Sequence, residues 1–279
     1  MTILITGSRG KVATTLIPLL RERGLDVRAA SASPDKLSLP DGVERVVCDL
    51  DDPATFPAAL AGVESVFLYA NPQHIEAFLA EAKTAGVRHI VLLSSSSVIE
   101  PGADTNAIAA MHSAVERGLE RSGIPSTFLQ PGGFAGNALG WAWTAKSTGT
   151  VDHPFPGARS SLIHEADIAD AALAVLTRPE LRGHAYHLTG PASLSVTEQV
   201  AILAEAAGRP LTVNAVSAEA WKESTAEFMP PAIADALLGY FASHDGLPDA
   251  VTSTVEELTG HPARTFASWA RENADAFRP

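Results

Sequence analysis

The sequence contains one cysteine, Cys48, and it has neither a cluster of basic residues nor a long apolar run. A single cysteine excludes a disulfide framework and a zinc site built from cysteines. The formal net charge of −12 argues against nucleic-acid binding as the main role. No apolar run approaches the length of a membrane span, and the first residues lack the basic start of a signal peptide. We therefore expect a cytoplasmic protein that contacts neither nucleic acid nor a membrane.

The chain opens with a short apolar, β-branched run at residues 1–6, followed by G-S-R-G-K-V-A from Gly7 to Ala13 and an amphipathic stretch up to Gly24. A strand, a glycine turn and a helix in this order suit a dinucleotide pyrophosphate, because glycines let the backbone approach and N–H groups at the helix start face the anion. The spacing is G-x-x-G-x-x-A, which differs from the usual G-x-G-x-x-G fingerprint. The loop therefore predicts nucleotide binding. The alternative is an ordinary strand-to-helix turn that needs glycine only for packing.

The 279 residues, 46% of them hydrophobic, are enough for one large core or for a main domain with a smaller lobe. Short apolar runs occur at residues 25–30, 45–48, 65–69, 89–93 and 126–129, and stretches with helical spacing lie between them at 11–23, 54–61, 74–85 and 108–122. Gly24, Gly62, Gly86 and Gly123 close the helical stretches. This alternation predicts an α/β fold with a Rossmann-like, doubly wound parallel sheet.

The pattern changes after Pro131, where glycines and aromatic residues surround an irregular stretch. A helix is predicted at 167–176 and a strand at 185–188. The remainder is mostly helical, at 196–207, 218–228, 231–241, 251–258 and 263–274, with a strand at 211–216. We expect an NAD(P)-binding core at residues 1–130. Residues 131–279 would form a smaller, mostly helical substrate lobe, interleaved with late sheet elements.

Five segments carry a resemblance to a known family. They are T-G-S-R-G-K from Thr6, C-D-L-D from Cys48, G-V-R-H-I-V-L-L-S-S from Gly86, S-G-I-P-S-T-F-L-Q-P-G-G-F from Ser122 and H-E-A-D-I-A from His164. In this order, over residues 1–170, they resemble an atypical short-chain dehydrogenase/reductase of the NmrA-like group. The chain is similar to bacterial NAD(P)H-binding quinone and azo-dye reductases and to reductases of ergot-alkaloid pathways.

The resemblance implies a cofactor path across the carboxyl ends of the strands. The pyrophosphate and the adenosine ribose would contact Gly7, Ser8, Arg9, Gly10, Lys11 and Val12. Adenine would lie beside Asp49 and Leu50, and the middle of the cofactor beside Tyr69, Ala70 and Asn71. The nicotinamide would lie near Ser94 and Ser95, with Pro131, Gly132 and Phe134 closing over its ribose.

The residues that follow the second predicted strand bear on the choice between NADP and NAD. The run A-S-A-S from Ala30 contains neither the acid that usually binds the ribose of NAD nor the arginine common in the family. Arg9, with Ser31 and Ser33, is suited to hold a 2′-phosphate by charge-assisted hydrogen bonds, and Lys11 adds positive charge. Alternatively, the two cations are solvated surface groups. We expect NADPH to be favoured over NADH.

The Tyr-x-x-x-Lys pair of this superfamily is absent, since none of the three tyrosines has a lysine four residues later. At the expected place stand His112 and Glu116, one helical turn apart. We predict that His112 donates a proton and that Glu116 sets its tautomer and raises its pKa. The alternative is a helix residue packed under the cofactor. Ser95 is a second candidate, for binding a substrate carbonyl or the nicotinamide carboxamide, although serines are also common in turns at strand ends.

Aromatic residues Phe134, Trp141, Trp143 and Phe155 cluster in the irregular stretch and are predicted to wall an apolar pocket. A core cluster within the lobe is the alternative for each of them. His164 is predicted to face the same pocket. Asp167 is expected to be structural, as a cap or first-turn residue of the next helix. No spacing of histidines and acids marks a metal site.

These features together predict an NAD(P)H-dependent oxidoreductase, a monomer or homodimer. Its small-molecule substrate would be a conjugated, fairly apolar quinone, enone, ketone or imine, because such acceptors take hydride with little acid assistance. Two alternatives remain open at this point. One is an NAD(P)-binding redox-sensing regulator without turnover, and the other is a non-redox isomerase on the same scaffold.

Overall fold

The structure, a computed structural model, describes residues 1–279. The strands are β1 (Thr2–Ile5), β2 (Asp26–Ser31), β3 (Glu44–Val47), β4 (Ser65–Tyr69), β5 (His89–Leu93), β6 (Ser126–Pro131), β7 (Thr150–His153), β8 (Arg159–Ser160), β9 (Ala185–Leu188), β10 (Leu194–Ser195) and β11 (Thr212–Ala215). The helices are α1 (Lys11–Glu22), α2 (Phe56–Leu60), α3 (Ile75–Thr84), α4 (Ala107–Ser122), α5 (Ala142–Thr148), α6 (Glu165–Thr177), α7 (Val196–Ala207), α8 (Ala218–Thr225), α9 (Pro231–Ser243), α10 (Thr254–Thr259) and α11 (Phe266–Glu272).

Seven strands form the main sheet in the order β3-β2-β1-β4-β5-β6-β9, and every neighbouring pair is parallel. The strand order reverses between β1 and β4, because β2 and β3 extend to one side and β4 to β6 to the other. In open α/β sheets, ligands bind outside the carboxyl ends of the strands at such a reversal. The predicted Rossmann-like, doubly wound sheet is confirmed, and its binding edge contains the glycine loop.

Apolar side chains cover both faces of this sheet, which explains the lack of alternation in the central strands. All five residues of β5 are buried. On one face, α1, α6 and α10 pack in a cluster that includes Leu16 and Ile168. On the other face, α2, α3 and α4 pack in a second cluster that includes Phe56 and Phe78. Complete burial of one such side chain stabilises the fold by roughly 1.5–3 kcal/mol.

The ends of the helices agree with the glycine pattern. Gly24, Gly62, Gly86 and Gly123 have φ angles of 72°, 71°, 79° and 72°, the left-handed conformation that glycine adopts without strain. Predicted boundaries in the core differ by one or two residues, except that the helix expected at 54–61 is a 3-10 turn at Pro53–Thr55 followed by the short α2. None of the helices combines the length and the apolar character that a membrane span requires.

Residues after Pro131 build a third cluster around α5, α7 and α11, which includes Trp269 and Phe277. Two small sheets, β8 with β10 and β7 with β11, lie in this part of the chain. The predicted strand at 185–188 is β9, which pairs with β6 in the main sheet. The predicted helices at 218–228, 251–258 and 263–274 are shorter in the structure, at α8, α10 and α11. The division of the chain at residue 130 stays a prediction.

Candidate functional site

The glycine loop between β1 and α1 is held against β2 by Ser8. The Ser8 hydroxyl donates to the carbonyl of Ile5 at 2.7 Å and accepts from the amide of Ala30 at 3.0 Å. The Ser8 amide donates to the carbonyl of Ala30 at 3.0 Å. Because its amide and its hydroxyl hydrogen are both engaged, the buried Ser8 positions the loop. Ser8 therefore has no free hydrogen-bond donor for the cofactor, which it was expected to contact.

The amino terminus of α1 presents backbone donors to the binding edge. Gly10 is the N-cap residue and supplies no side-chain cap. The amides of Lys11 and Val12 lie in the first turn, where no intrahelical acceptor exists, and no other group of the protein accepts from them. Unpaired amides at the positive end of a helix dipole form an anion site.

Tyr69, at the carboxyl end of β4, lies directly over the glycine loop. A Cβ atom built on Gly7 would lie 2.8 Å from the ring, and one built on Gly10 would lie 2.5 Å from the phenolic oxygen. Gly7 also has a φ angle of +57°. Both glycines are therefore required by close packing of Tyr69, as well as by any anion at the helix start.

The loops that follow β3 and β4 are joined by hydrogen bonds. Asn71 Nδ2 donates to Asp51 Oδ1 at 2.8 Å, and the Asp49 carboxylate accepts from the Asp51 amide at 3.1 Å. Leu50 and Asn71 both line a shallow apolar depression at this edge of the sheet. The structure thus brings together the loop that the resemblance assigns to adenine and the loop that it assigns to the middle of the cofactor, and Ala70 packs on the apolar cluster beneath them.

Polar groups also converge where β5 and β6 end. The Ser94 hydroxyl donates to Glu116 Oε1 at 2.6 Å, and Gln130 Nε2 donates to the same oxygen at 2.9 Å. Ser95 Oγ accepts from the amide and the hydroxyl of Ser97, at 3.2 and 3.0 Å, and so caps a 3-10 turn. Glu116 therefore orients Ser94, and Ser95 has the turn-forming role that was its alternative.

The expectation that Glu116 sets the tautomer of His112 is wrong, although its charge acts to raise the His112 pKa as expected. His112 Nδ1 lies 2.8 Å from the carbonyl oxygen of Ile108, so this nitrogen carries the proton and donates it. Burial lowers the pKa of His112 below its usual range, and the nearby charge of Glu116 offsets this effect only in part. A helical residue finds the carbonyl one turn earlier without a neighbouring acid. Nε2 has no hydrogen-bond partner within the protein and is the nitrogen available to a ligand.

A cleft of about 390 Å³ separates the start of α1 from the residues that follow Pro131. Of the predicted site residues it brings together Gly10, Lys11, Val12, Tyr69, Phe134 and His164. It also contains residues that the sequence analysis did not select, namely Thr15, Gly136, Asn137, Leu139, Glu165, Ala166, Trp269, Glu272 and Asn273. Glu165 and Ala166 lie within the H-E-A-D-I-A motif, whereas the three residues of the C-terminal segment carried no signal in sequence.

Two polar contacts shape this cleft. Glu165 Oε1 accepts from the amide of Gly136 at 2.8 Å, and a Cβ on Gly136 would overlap that oxygen at 2.1 Å. His164 caps α6, since its Nδ1 accepts from the amide of Ala166 at 3.1 Å, and its Nε2 lies 3.1 Å from Glu272 Oε2. The cap is therefore His164 rather than Asp167. Asp167 lies in the first turn of α6, as expected. Its buried carboxylate also pairs with Arg264 and accepts from the Arg264 amide.

The predicted aromatic pocket is largely wrong. Trp143 is 78% exposed and does not line the cleft. Trp141 packs edge-on against His153, with ring centroids 6.3 Å apart, and both Trp141 and Phe155 pack on the third apolar cluster. Neighbours four apart on a helix share a face, so Trp141 points inward with the buried Ala145 while Trp143 points outward. Only Phe134 of the four lines the cleft.

Comparison with known proteins agrees with this geometry. A family model described as NAD(P)H-binding matches residues 7–179. A (4-alkanoyl-5-oxo-2,5-dihydrofuran-3-yl)methyl phosphate reductase of Streptomyces griseus is 36% identical, with 99% of each chain covered. An NAD(P)H azoreductase of Xenophilus azovorans is also 36% identical, with 99% of each chain covered. The crystal structure of an NADPH-dependent quinone oxidoreductase of Escherichia coli, complexed with NADPH, superposes with a TM-score of 0.80 at 26% identity, covering 97% of this chain and 99% of that one.

The family model covers more than half of the chain, and the two relatives match it from end to end. The glycine loop, the unpaired amides of α1 and the strand reversal beside them are the features that such a family requires. The chain therefore belongs to the NAD(P)H-binding family, as an atypical short-chain dehydrogenase/reductase.

Proposed function

We propose that this protein is an NADPH-dependent reductase that transfers hydride to a conjugated, fairly apolar small molecule such as a quinone, enone, ketone or imine. The observation that carries the proposal is the pair of unpaired amides, Lys11 and Val12, facing a cleft of about 390 Å³. The family of the chain and the names of its relatives support a reductase. When bound, the cofactor supplies the hydride.

The residues of the chain then have separable tasks. The α1 amides and the cations of the glycine loop hold the phosphates, while Leu50 borders the adenine position and Asn71 the middle of the cofactor. Phe134, on the opposite side of the cleft, contributes an apolar wall. His112 lies one turn before Glu116 on α4, and Glu116 contacts Ser94 and Gln130 at the ends of β5 and β6. In its protonated form His112 delivers a proton from Nε2 to the reduced product.

Oxidation of NADPH against a panel of acceptors tests the proposal directly. The panel contains quinones, enones, imines, an azo dye and an acyl-butenolide methyl phosphate, the last two chosen from the names of the relatives. We expect turnover with at least one acceptor. Binding of the cofactor without turnover across the panel would instead favour the regulator, and conversion of an acceptor without cofactor oxidation would favour the isomerase.

The preference for NADPH is proposed from the charges around the end of β2. Arg9 and Lys11 are exposed, and no carboxylate forms an ion pair with either. The run from Ala30 to Ser33 contains no acid that would repel a 2′-phosphate, and Ala32 stands where the family commonly has an arginine. The hydroxyl of the buried Ser31 accepts from the amide of Ser33 at 3.1 Å, which orders the turn. Two unpaired cations beside an uncharged turn favour the phosphorylated cofactor.

The variant Arg9→Ala should weaken NADPH binding roughly tenfold and leave NADH binding nearly unchanged, because it removes one charge-assisted hydrogen bond to the 2′-phosphate. Calorimetric titration of both reduced cofactors measures the effect. Arg23→Ala, which removes an exposed arginine just after α1, is the matched control and should change neither affinity. An equal loss for both cofactors in Arg9→Ala would remove Arg9 from the phosphate site.

A further inference from the structure

Tyr69 is fixed over the glycine loop by contacts on three sides. Its amide donates to Thr6 Oγ1 at 2.9 Å. Its ring meets Phe67 edge-on, with centroids 5.8 Å apart, and lies against Gly7 and Gly10. The phenolic oxygen accepts a hydrogen bond from the amide of Ala13 at 3.3 Å. The Tyr69 hydroxyl, at the end of β4, therefore caps the amide of Ala13 in the first turn of α1, since Gly10 supplies no side-chain cap.

This arrangement leaves the hydroxyl hydrogen of Tyr69 without an acceptor in the protein, since the bond from Ala13 is the only one that its oxygen makes. A phenol that accepts one hydrogen bond still has one to donate. Tyr69 lines the cleft beside Gly10, Lys11 and Val12, so the free hydrogen lies at the anion site. Burial raises the pKa of Tyr69 to about 12, which keeps the hydroxyl protonated at neutral pH.

We propose that the Tyr69 hydroxyl donates a hydrogen bond to the pyrophosphate of NAD(P)H, beside the amides of Lys11 and Val12. The proposal deepens the proposed function and rests on it. The chain of bonds from the Ala13 amide through the phenol to the phosphate strengthens both links, because each bond polarises the next.

The variant Tyr69→Phe retains the ring on the two glycines and removes only the hydroxyl. We expect it to weaken NADPH and NADH by the same factor, roughly 10- to 100-fold, because both cofactors share the pyrophosphate. Binding of adenosine 2′-monophosphate, which lacks the pyrophosphate, should be unchanged. Tyr186→Phe is the matched control, since its hydroxyl donates to the carbonyl of Leu181 at 2.9 Å on the last strand of the sheet, away from the cleft.

A second measurement separates a lost donor from a disturbed helix end. With ring-labelled tyrosine, the three tyrosines give three Cζ resonances, which single phenylalanine variants assign. The Tyr69 resonance should shift on addition of NADPH or NADH, and should not shift on addition of adenosine 2′-monophosphate. The proposal would be overturned if the Tyr69 resonance did not shift with either dinucleotide. It would also be overturned if the Tyr69→Phe variant bound both dinucleotides as tightly as the parent. If the parent itself bound neither dinucleotide, the proposed function would fail instead.

Discussion

Replacing Gly7 by alanine should weaken the binding of both NADPH and NADH by roughly 100-fold. The φ angle of +57° would strain any other residue, and such strain costs on the order of 1–3 kcal/mol. The added Cβ would also lie 2.8 Å from the Tyr69 ring. Relief requires either the ring or the loop to move, and both movements disturb the anion site. Fluorescence or calorimetric titration measures the loss.

Gly24→Ala is the matched control for this prediction. Gly24 has a similar positive φ angle, 72°, at the other end of α1, but a Cβ there would meet nothing within 4 Å. It should lower the free energy of unfolding by about 1 kcal/mol without changing cofactor affinity. If the two variants bound cofactor equally well, the crowding between Gly7 and Tyr69 would have no part in binding.

Replacing His112 by phenylalanine should lower kcat by about 10²–10⁴-fold on a substrate whose product requires a proton, the usual effect of removing a positioned general acid. The effect on a quinone should be smaller, because such acceptors need little acid assistance. Cofactor affinity should stay nearly unchanged. His112→Tyr should keep part of the activity, since a phenol donates from a similar place. Steady-state kinetics on both substrates, with His184→Phe as an exposed control, measure the difference.

The pH dependence of kcat provides an independent reading of the same residue. Because burial lowers the pKa of His112 below the ordinary 6.5, the imidazole is neutral at pH 7 and only its minor, protonated form donates from Nε2. The protonated fraction grows as pH falls, so kcat of the parent should rise toward acidic pH. This acidic limb should be absent in His112→Phe. Near-full kcat in that variant would make His112 a packing residue.

In the structure, the candidate acid His112 does not pair with Glu116, in contrast to the prediction from the sequence. Glu116 was expected to orient His112, yet its carboxylate accepts from Ser94 and Gln130. Both readings place the two residues one turn apart on α4. The choice of partner depends on how β5 and β6 approach that helix, and this approach is not encoded in the spacing of the two residues along the chain.

Local physical rules allowed the fold and part of the candidate site to be predicted from the sequence. Apolar runs without alternation require strands covered on both faces. Glycines at helix ends require only a local φ angle, and Gly86 and Gly123 have it. The loop from Gly7 to Val12 follows a strand and starts a helix within one short segment, so its position at the sheet edge needs no distant contact.

The tertiary structure decided the rest, because those features depend on segments far apart in the chain. Trp269 and Glu272 reach the cleft from α11, more than two hundred and fifty residues after the glycine loop. Trp143 turned outward because the register of α5 assigns the inner face to Trp141 and Ala145. Tyr69 covers the loop because β4 lies next to β1 in the sheet. Sequence alone determined the strands of the main sheet and most of the helices, and only their packing determined which side chains meet, since a contact between distant residues has no local signature.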